Sequence, residues 1–158
     1  MATYKAPLRD MRFVYQELFN GDDLKRLPGY EDFSADVVEA VLKEAGKLAE
    51  EVLFPLNSSG DIEGCTFENG VVRTPTGFKE AYNQFIEGGW TGLGADPAYG
   101  GQGAPKALNI LVEEMICSSN MSFGMYPGLT HGAYDALTLY GTEEQKQLYL
   151  TKFVKGTW

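Results

Sequence analysis

The stretch SADVVEAVLKEAGKLAEEVL, residues 34–53, decides the fold class. Val37, Val38, Val41, Leu42, Ala45, Leu48, Ala49, Val52 and Leu53 recur at spacings of three and four, which gathers them on one face of an α-helix. Ser34 suits the N-cap, because its hydroxyl can accept from an early helix amide that has no intrahelical partner. The helix is expected to run until Pro55 approaches, or a residue or two beyond it.

Working outward, the same periodicity recurs. Upstream, LRDMRFVYQELFN (residues 8–20) spaces Leu8, Met11, Val14, Tyr15 and Leu18 as a short amphipathic helix stopped by Gly21, and NGDDLKRLPGYED (residues 20–32) reads as a loop. Downstream, CTFENGVVRT (residues 65–74) sets Asn69 and Gly70 between two β-prone runs, the signature of a hairpin with a two-residue turn. Thr76 is expected to cap a helix carrying Phe78, Tyr82, Phe85 and Ile86, ended by Gly88 and Gly89. GGWTGLGADPAYGGQGAP (residues 88–105) is too rich in Gly and Pro for regular structure and reads as an ordered loop around Trp90 and Tyr99. Pro105 then opens a helix with Leu108, Leu111, Val112, Met115 and Ile116 on its apolar face.

After CSSN, residues 121–140 are expected to begin irregularly around Pro127 and Gly128 and to settle into helix before Gly141. Thr142 with Gln145 three residues on is a capping box for a last helix that buries Leu148, Tyr149 and Phe153. The fold class expected is all-α: an orthogonal or bundled set of about six helices, with one small β-hairpin near residues 65–74.

Charge and residue usage exclude several functions. A formal net charge of −9, from 22 acidic against 13 basic residues, argues against a nucleic-acid partner, which would need clustered Lys and Arg to neutralise phosphates. No apolar run is long enough to cross a bilayer and no signal peptide opens the chain, so a soluble, cytoplasmic protein is expected. Cys65 and Cys117 lie far apart without a CxxC, and read as reduced thiols rather than as a disulfide or zinc site. One histidine, His131, leaves little for a His-rich metal site or a His-based triad.

Four features carry candidate chemistry. YGGQGAP (residues 99–105) resembles a phosphate-binding loop only in glycine content: its spacing matches neither GxGxxG nor GxxxxGK[ST], and it reads as a turn before a proline-started helix. His131 could act as an acid or base with Asp135 one helical turn away, although a histidine bonded to its neighbours is the simpler reading. Glu113–Glu114 and Glu143–Glu144 are sequential pairs that diverge on a helix and read as solvated faces. MSFGMYPGLTHGA (residues 121–133) interleaves large apolar side chains with glycines, and reads either as core filling or as the wall of a pocket for a flexible apolar ligand.

Residues 88–105 resemble the Trp-x-Gly then Tyr-Gly-Gly-x-Gly pattern of the N-terminal helical domain of acyl-CoA dehydrogenases, and residues 140–158 resemble that family's Gly-Thr-Glu-Glu-Gln-Lys segment. The two motifs occur in the family's order with a helix between them. YKAPLRDMRFVYQELF (residues 4–19) and NMSFGMYPGLTHGA (residues 120–133) are similar to a long bacterial branch of the family, the one containing enzymes that resemble 3-methylmercaptopropionyl-CoA dehydrogenase.

The resemblance implies an N-terminal extension with one helix over residues 1–33, the helical domain over residues 34–156, and a middle β domain and C-terminal helical domain beyond this chain. It implies α,β-dehydrogenation of an acyl-CoA thioester by a FAD enzyme that passes electrons to electron-transfer flavoprotein or a similar acceptor and assembles as a homo-oligomer. The family's catalytic glutamate and main flavin contacts lie in the other domains, so no catalytic, cofactor or metal residue is expected here, and the chain alone is expected to be inactive and to bind no FAD. In the family the region matching residues 123–131 forms part of the acyl-pocket wall, which makes Phe123, Met125, Tyr126, Leu129 and His131 the expected substrate contacts. A stand-alone helical module that binds an apolar ligand or a partner protein is the competing expectation.

Overall fold

A computed structural model describes residues 3–158. It is a helical protein with one two-stranded antiparallel sheet, as the periodicity dictates.

The helix read from residues 34–53 forms the backbone of the molecule. Helix α3 (Ala35–Lys47) starts at Ser34, whose side chain accepts from the Val37 amide. It does not stop near Pro55. A π-helical stretch, Leu48–Leu53, carries it into α4 (Phe54–Glu63), with Pro55 in the first turn of that segment. Proline lacks an amide hydrogen and collides with the carbonyl four residues back in a regular α-helix; the widened π turns ahead of it give the ring room. The expected boundary is therefore corrected from about residue 55 to Glu63.

Upstream, α1 (Leu8–Phe13) continues through a π turn (Val14–Leu18), and the segment read as a loop contains a further turn of helix, α2 (Gly21–Leu24). Met11 and Tyr15 enter the same core as Val38 and Leu42. Glu50 holds the segment ahead of α1 against the long helix by accepting from the Ala6 amide (2.9 Å) and from Lys5 Nζ (2.5 Å).

Strands β1 (Thr66–Glu68) and β2 (Val71–Arg73) pair Phe67 with Val72, and the turn places Asn69 and Gly70 at φ 51° and 80°. Both residue types tolerate that region, so the turn signal was sufficient. Helix α5 (Phe78–Glu87) is not capped by Thr76. Gly77, at φ 88°, is its N-cap, while the Thr76 amide and hydroxyl both donate to Glu63 (3.0 Å each) and tie the start of α5 to the end of α4.

Residues 88–105 form an ordered loop with two short 3₁₀ turns, Trp90–Gly92 and Pro97–Tyr99. Its amides are spent inside the protein: Gly100 donates to Pro97, Gly101 to Asp96, Gln102 to Gly92, Gly103 to Ala95 and Ala104 to Leu93. Amides so committed leave nothing to cradle an anion, which settles the glycine motif as structural.

Helix α6 (Lys106–Ser119) meets α7 (Met121–Tyr140) at the single extended residue Asn120. Its side chain caps α7 by accepting from the Phe123 amide (3.0 Å) and reaches across to donate to the Leu53 carbonyl (3.1 Å). The irregular start expected near Pro127 is thus wrong: α7 is helical from Met121, with Pro127 inside it. The asparagine cap supplies the start signal that the proline obscured.

Helix α8 (Glu143–Val154) has the complete capping box of Thr142 and Gln145. Its inward residues are Leu150 and Val154, and the expected Leu148 is 51% exposed. The core lies where α3, α5, α6 and α7 meet, around Leu42, Leu53, Phe85, Leu108, Met115 and Phe123.

Candidate functional site

Helix α7 is apolar almost all round, with one histidine, His131, and one carboxylate, Asp135, along its length. Such a helix is normally covered on every side. Here Phe123, Gly124 and Pro127 face the core, whereas Met125 is 59% and Leu129 76% exposed.

The exposed side forms one wall of a groove of about 530 Å³, with Met125, Tyr126 and Leu129 on α7, Phe78, Lys79 and Tyr82 on α5, Thr74 after β2, and Trp158. Three of the five expected contacts are therefore brought together. Phe123 is fully buried behind the groove, its ring centroid 6.0 Å from Tyr126, 6.3 Å from Phe78, 6.4 Å from Tyr82 and 5.6 Å from Phe85. It sets the groove's floor from beneath.

His131 points elsewhere, to the α6 side. Its Nδ1 lies 3.1 Å from Glu113 Oε1, which also accepts from Asn109 Nδ2 at 2.6 Å. His131 and Asp135 do not form a pair: Asp135 lies 4.0 Å from Lys106. Glu113, read as solvated, is half-buried and ties α6 to α7, whereas its neighbour Glu114 is exposed. Sequence reasoning missed Thr130, next to Leu129 on α7, and also Thr74, Phe78, Lys79, Tyr82 and Trp158, which come from segments distant in the chain. Only the short spacing of Phe78, Lys79 and Tyr82 hinted that they share a helix face.

One of the groove's polar side chains is tied to the backbone of a distant segment. Tyr82 donates its hydroxyl to the Gly156 carbonyl (3.1 Å), fixing the chain before Trp158, and Lys152 Nζ sits 4.0 Å over the Trp158 ring. Burial pushes the Tyr82 and Tyr126 phenols above their ordinary range, so both are neutral hydroxyls at pH 7. The lining is mainly apolar and contains no carboxylate, histidine or cysteine. Among the described residues no group of three or more His, Cys, Asp or Glu could hold a metal ion, and no helix is long and apolar enough to cross a membrane.

The hydrogen bond from His131, with help from the charge of that ring and Lys106 and from Asn109, holds the Glu113 carboxyl below its usual 4.5 despite partial burial. A depressed carboxylate stabilises the fold above its unfolded value and loses that contribution as pH falls through the folded one. Wild type should therefore melt higher than Glu113→Gln at pH 6, and the gap should shrink on acidification from pH 5 to pH 3. A gap in thermal unfolding that stays constant over that range would show that the charge on Glu113 contributes nothing.

Comparison with known proteins adds the family context. Residues 36–157 match the family model described as acyl-CoA dehydrogenase, N-terminal domain. The chain is 40% identical over 156 residues to a 3-methylmercaptopropionyl-CoA dehydrogenase of Ruegeria pomeroyi, covering 99% of this chain and 26% of that protein. It is 31% identical over 159 residues to a butyryl-CoA dehydrogenase of Syntrophomonas wolfei, 98% of this chain and 26% of the relative. It is 33% identical over 151 residues to a broad-specificity linear acyl-CoA dehydrogenase of Mycobacterium tuberculosis, 93% of this chain and 24% of the relative. The chain spans about a quarter of the length of the curated relatives it matches.

Proposed function

The chain belongs to the acyl-CoA dehydrogenase family through its N-terminal domain, and from that premise we propose that it forms one wall of the acyl pocket of a FAD-dependent enzyme that introduces an α,β double bond into an acyl-CoA thioester. The observation that carries the reading is the uncovered apolar side of α7, where Met125, Tyr126 and Leu129 line a groove of about 530 Å³. Phe123 supports that wall from behind and His131 fixes α7 to α6 through Glu113.

The reaction needs a base for the α-proton and a hydride acceptor. When bound, FAD supplies the acceptor. Glu113, the one carboxylate that α6 and α7 share, is committed to His131 and Asn109 and is not free to serve as the base. Under this proposal the base and the flavin contacts belong to the further length that the relatives have, and the full protein passes its electrons to electron-transfer flavoprotein or a similar acceptor and works as a homo-oligomer in the cytoplasm. What this domain contributes is shape: an apolar surface that excludes water and selects among acyl chains.

Two measurements test the proposal. The 158-residue chain mixed with FAD, butyryl-CoA or octanoyl-CoA and an acceptor dye should give no dye reduction. In a polypeptide carrying the further length its relatives have, Leu129→Ala should shift kcat/KM between butyryl-CoA and octanoyl-CoA by roughly tenfold, the scale of a one- or two-methylene change in an apolar pocket. Turnover by the chain alone, or an unchanged chain-length profile, would overturn it.

A further inference from the structure

The groove does not end in apolar surface. At Thr74 and Lys79 it opens into a second depression of about 580 Å³, lined by Val72, Arg73, Pro75, Thr76 and Gly77 as well. Arg73 and Lys79 are the two cations there. In a chain with a net charge of −9, most basic side chains are committed to nearby carboxylates: Arg12 and Lys43 to Glu39, Lys47 to Glu44, Lys146 to Glu143. Among the described residues, Arg73 and Lys79 have no such partner. Of the carboxylates nearby, Glu63 is engaged by the Thr76 amide and hydroxyl, and Glu80 shares the depression.

An apolar trough that leads to two uncommitted cations has the charge and shape complement of an amphiphile with a negative end. We propose that the groove binds aliphatic carboxylates, the hydrocarbon lying along Phe78, Tyr82, Met125 and Leu129 and the carboxylate meeting Arg73 and Lys79. This rests on the reading that the groove accepts an acyl chain, and adds the chemistry of the end that the groove would recognise. The groove's volume lies within the range of about 300–1,000 Å³ usual for small-molecule sites. Arginine can hold a carboxylate through two parallel N–H donors, and lysine adds a point charge. Both sit on the exposed rim, so their contribution is a modest preference rather than an all-or-none requirement.

Calorimetric titration of the 158-residue chain with decanoate and with decanol separates this inference from the reading beneath it. Decanoate should bind several-fold more tightly than decanol. The double variant Arg73→Gln, Lys79→Gln, whose two sites are exposed and should leave the circular dichroism spectrum unchanged, should lower the ratio of decanoate to decanol affinity about three- to tenfold. Equal binding of the two ligands would overturn carboxylate recognition while leaving the acyl groove standing. A preference for decanoate that survives the double substitution would overturn the assignment to Arg73 and Lys79. Binding of neither ligand would overturn both the inference and the groove.

Discussion

Phe123→Ala should cost about 3–5 kcal/mol of folding stability, the upper range for emptying a buried aromatic site. Phe123 is 0% exposed and its ring touches four others, those of Phe78, Tyr82, Phe85 and Tyr126, two of them at edge-to-face angles of 73° and 84°. Those neighbours sit on α5 and α7, whose positions are set by the Gly77 start and the Asn120 cap, so little collapse is available to refill the hole. Chemical denaturation measures the loss directly. Leu129→Ala is the control: at 76% exposure it should change stability by no more than about 0.5 kcal/mol. A Phe123→Ala loss under about 1 kcal/mol would mean that the aromatic cluster is not what supports the groove.

That contrast marks how far the site was legible in sequence. Residues 121–133 announce an apolar segment with glycines, which is what both a core strip and a pocket wall look like, and the chain resolves the ambiguity by being both. Phe123 and Pro127 turn inward and Met125 and Leu129 outward because four-residue spacing repeats a helix face. That assignment needed the start of α7, and Pro127 drew attention away from Asn120, three residues ahead of the amide it caps. The opposite wall, Phe78 and Tyr82, is some forty residues away in the chain, and no periodicity reports a distance across a fold. The Glu113–His131 bond was hidden for the same reason: local spacing suggested Asp135, while the actual partner is on another helix.

The fold itself was more legible, because its signals are local. Ser34, Asn69 with Gly70, and Thr142 with Gln145 each act within four residues, and each does in the structure what its chemistry dictates. Two of the corrected boundaries fall at prolines. Pro55 and Pro127 were both read as helix breakers, and both sit in helices, Pro55 just after a π-helical stretch. Proline breaks a regular α-helix, but a neighbouring register change can absorb it, and nothing in one sequence encodes that change directly.

The glycine loop carries the second large effect. Gly101→Ala should destabilise the protein by about 3 kcal/mol or more, because the added methyl cannot be accommodated by a side-chain rotation. A Cβ there would lie 2.0 Å from the Ala95 carbonyl oxygen and 2.3 Å from its carbon, both backbone atoms. That same oxygen accepts from the Gly103 amide at 2.9 Å, so moving it breaks a bond in the ladder that also joins Gln102 to Gly92 and Ala104 to Leu93. The damage would spread to α7, since the Asp96 amide donates to the Tyr134 hydroxyl at 2.9 Å. Gly132→Ala tests whether this is a matter of packing rather than of glycine in general. Gly132 lies inside α7 with nothing within 4 Å of the new methyl, so alanine there should stabilise by about 0.5–1 kcal/mol through helix propensity. Opposite signs for the two substitutions in the same denaturation assay are the expected result; a neutral Gly101→Ala would show that the loop can yield, and that its glycines are not held by close backbone approach.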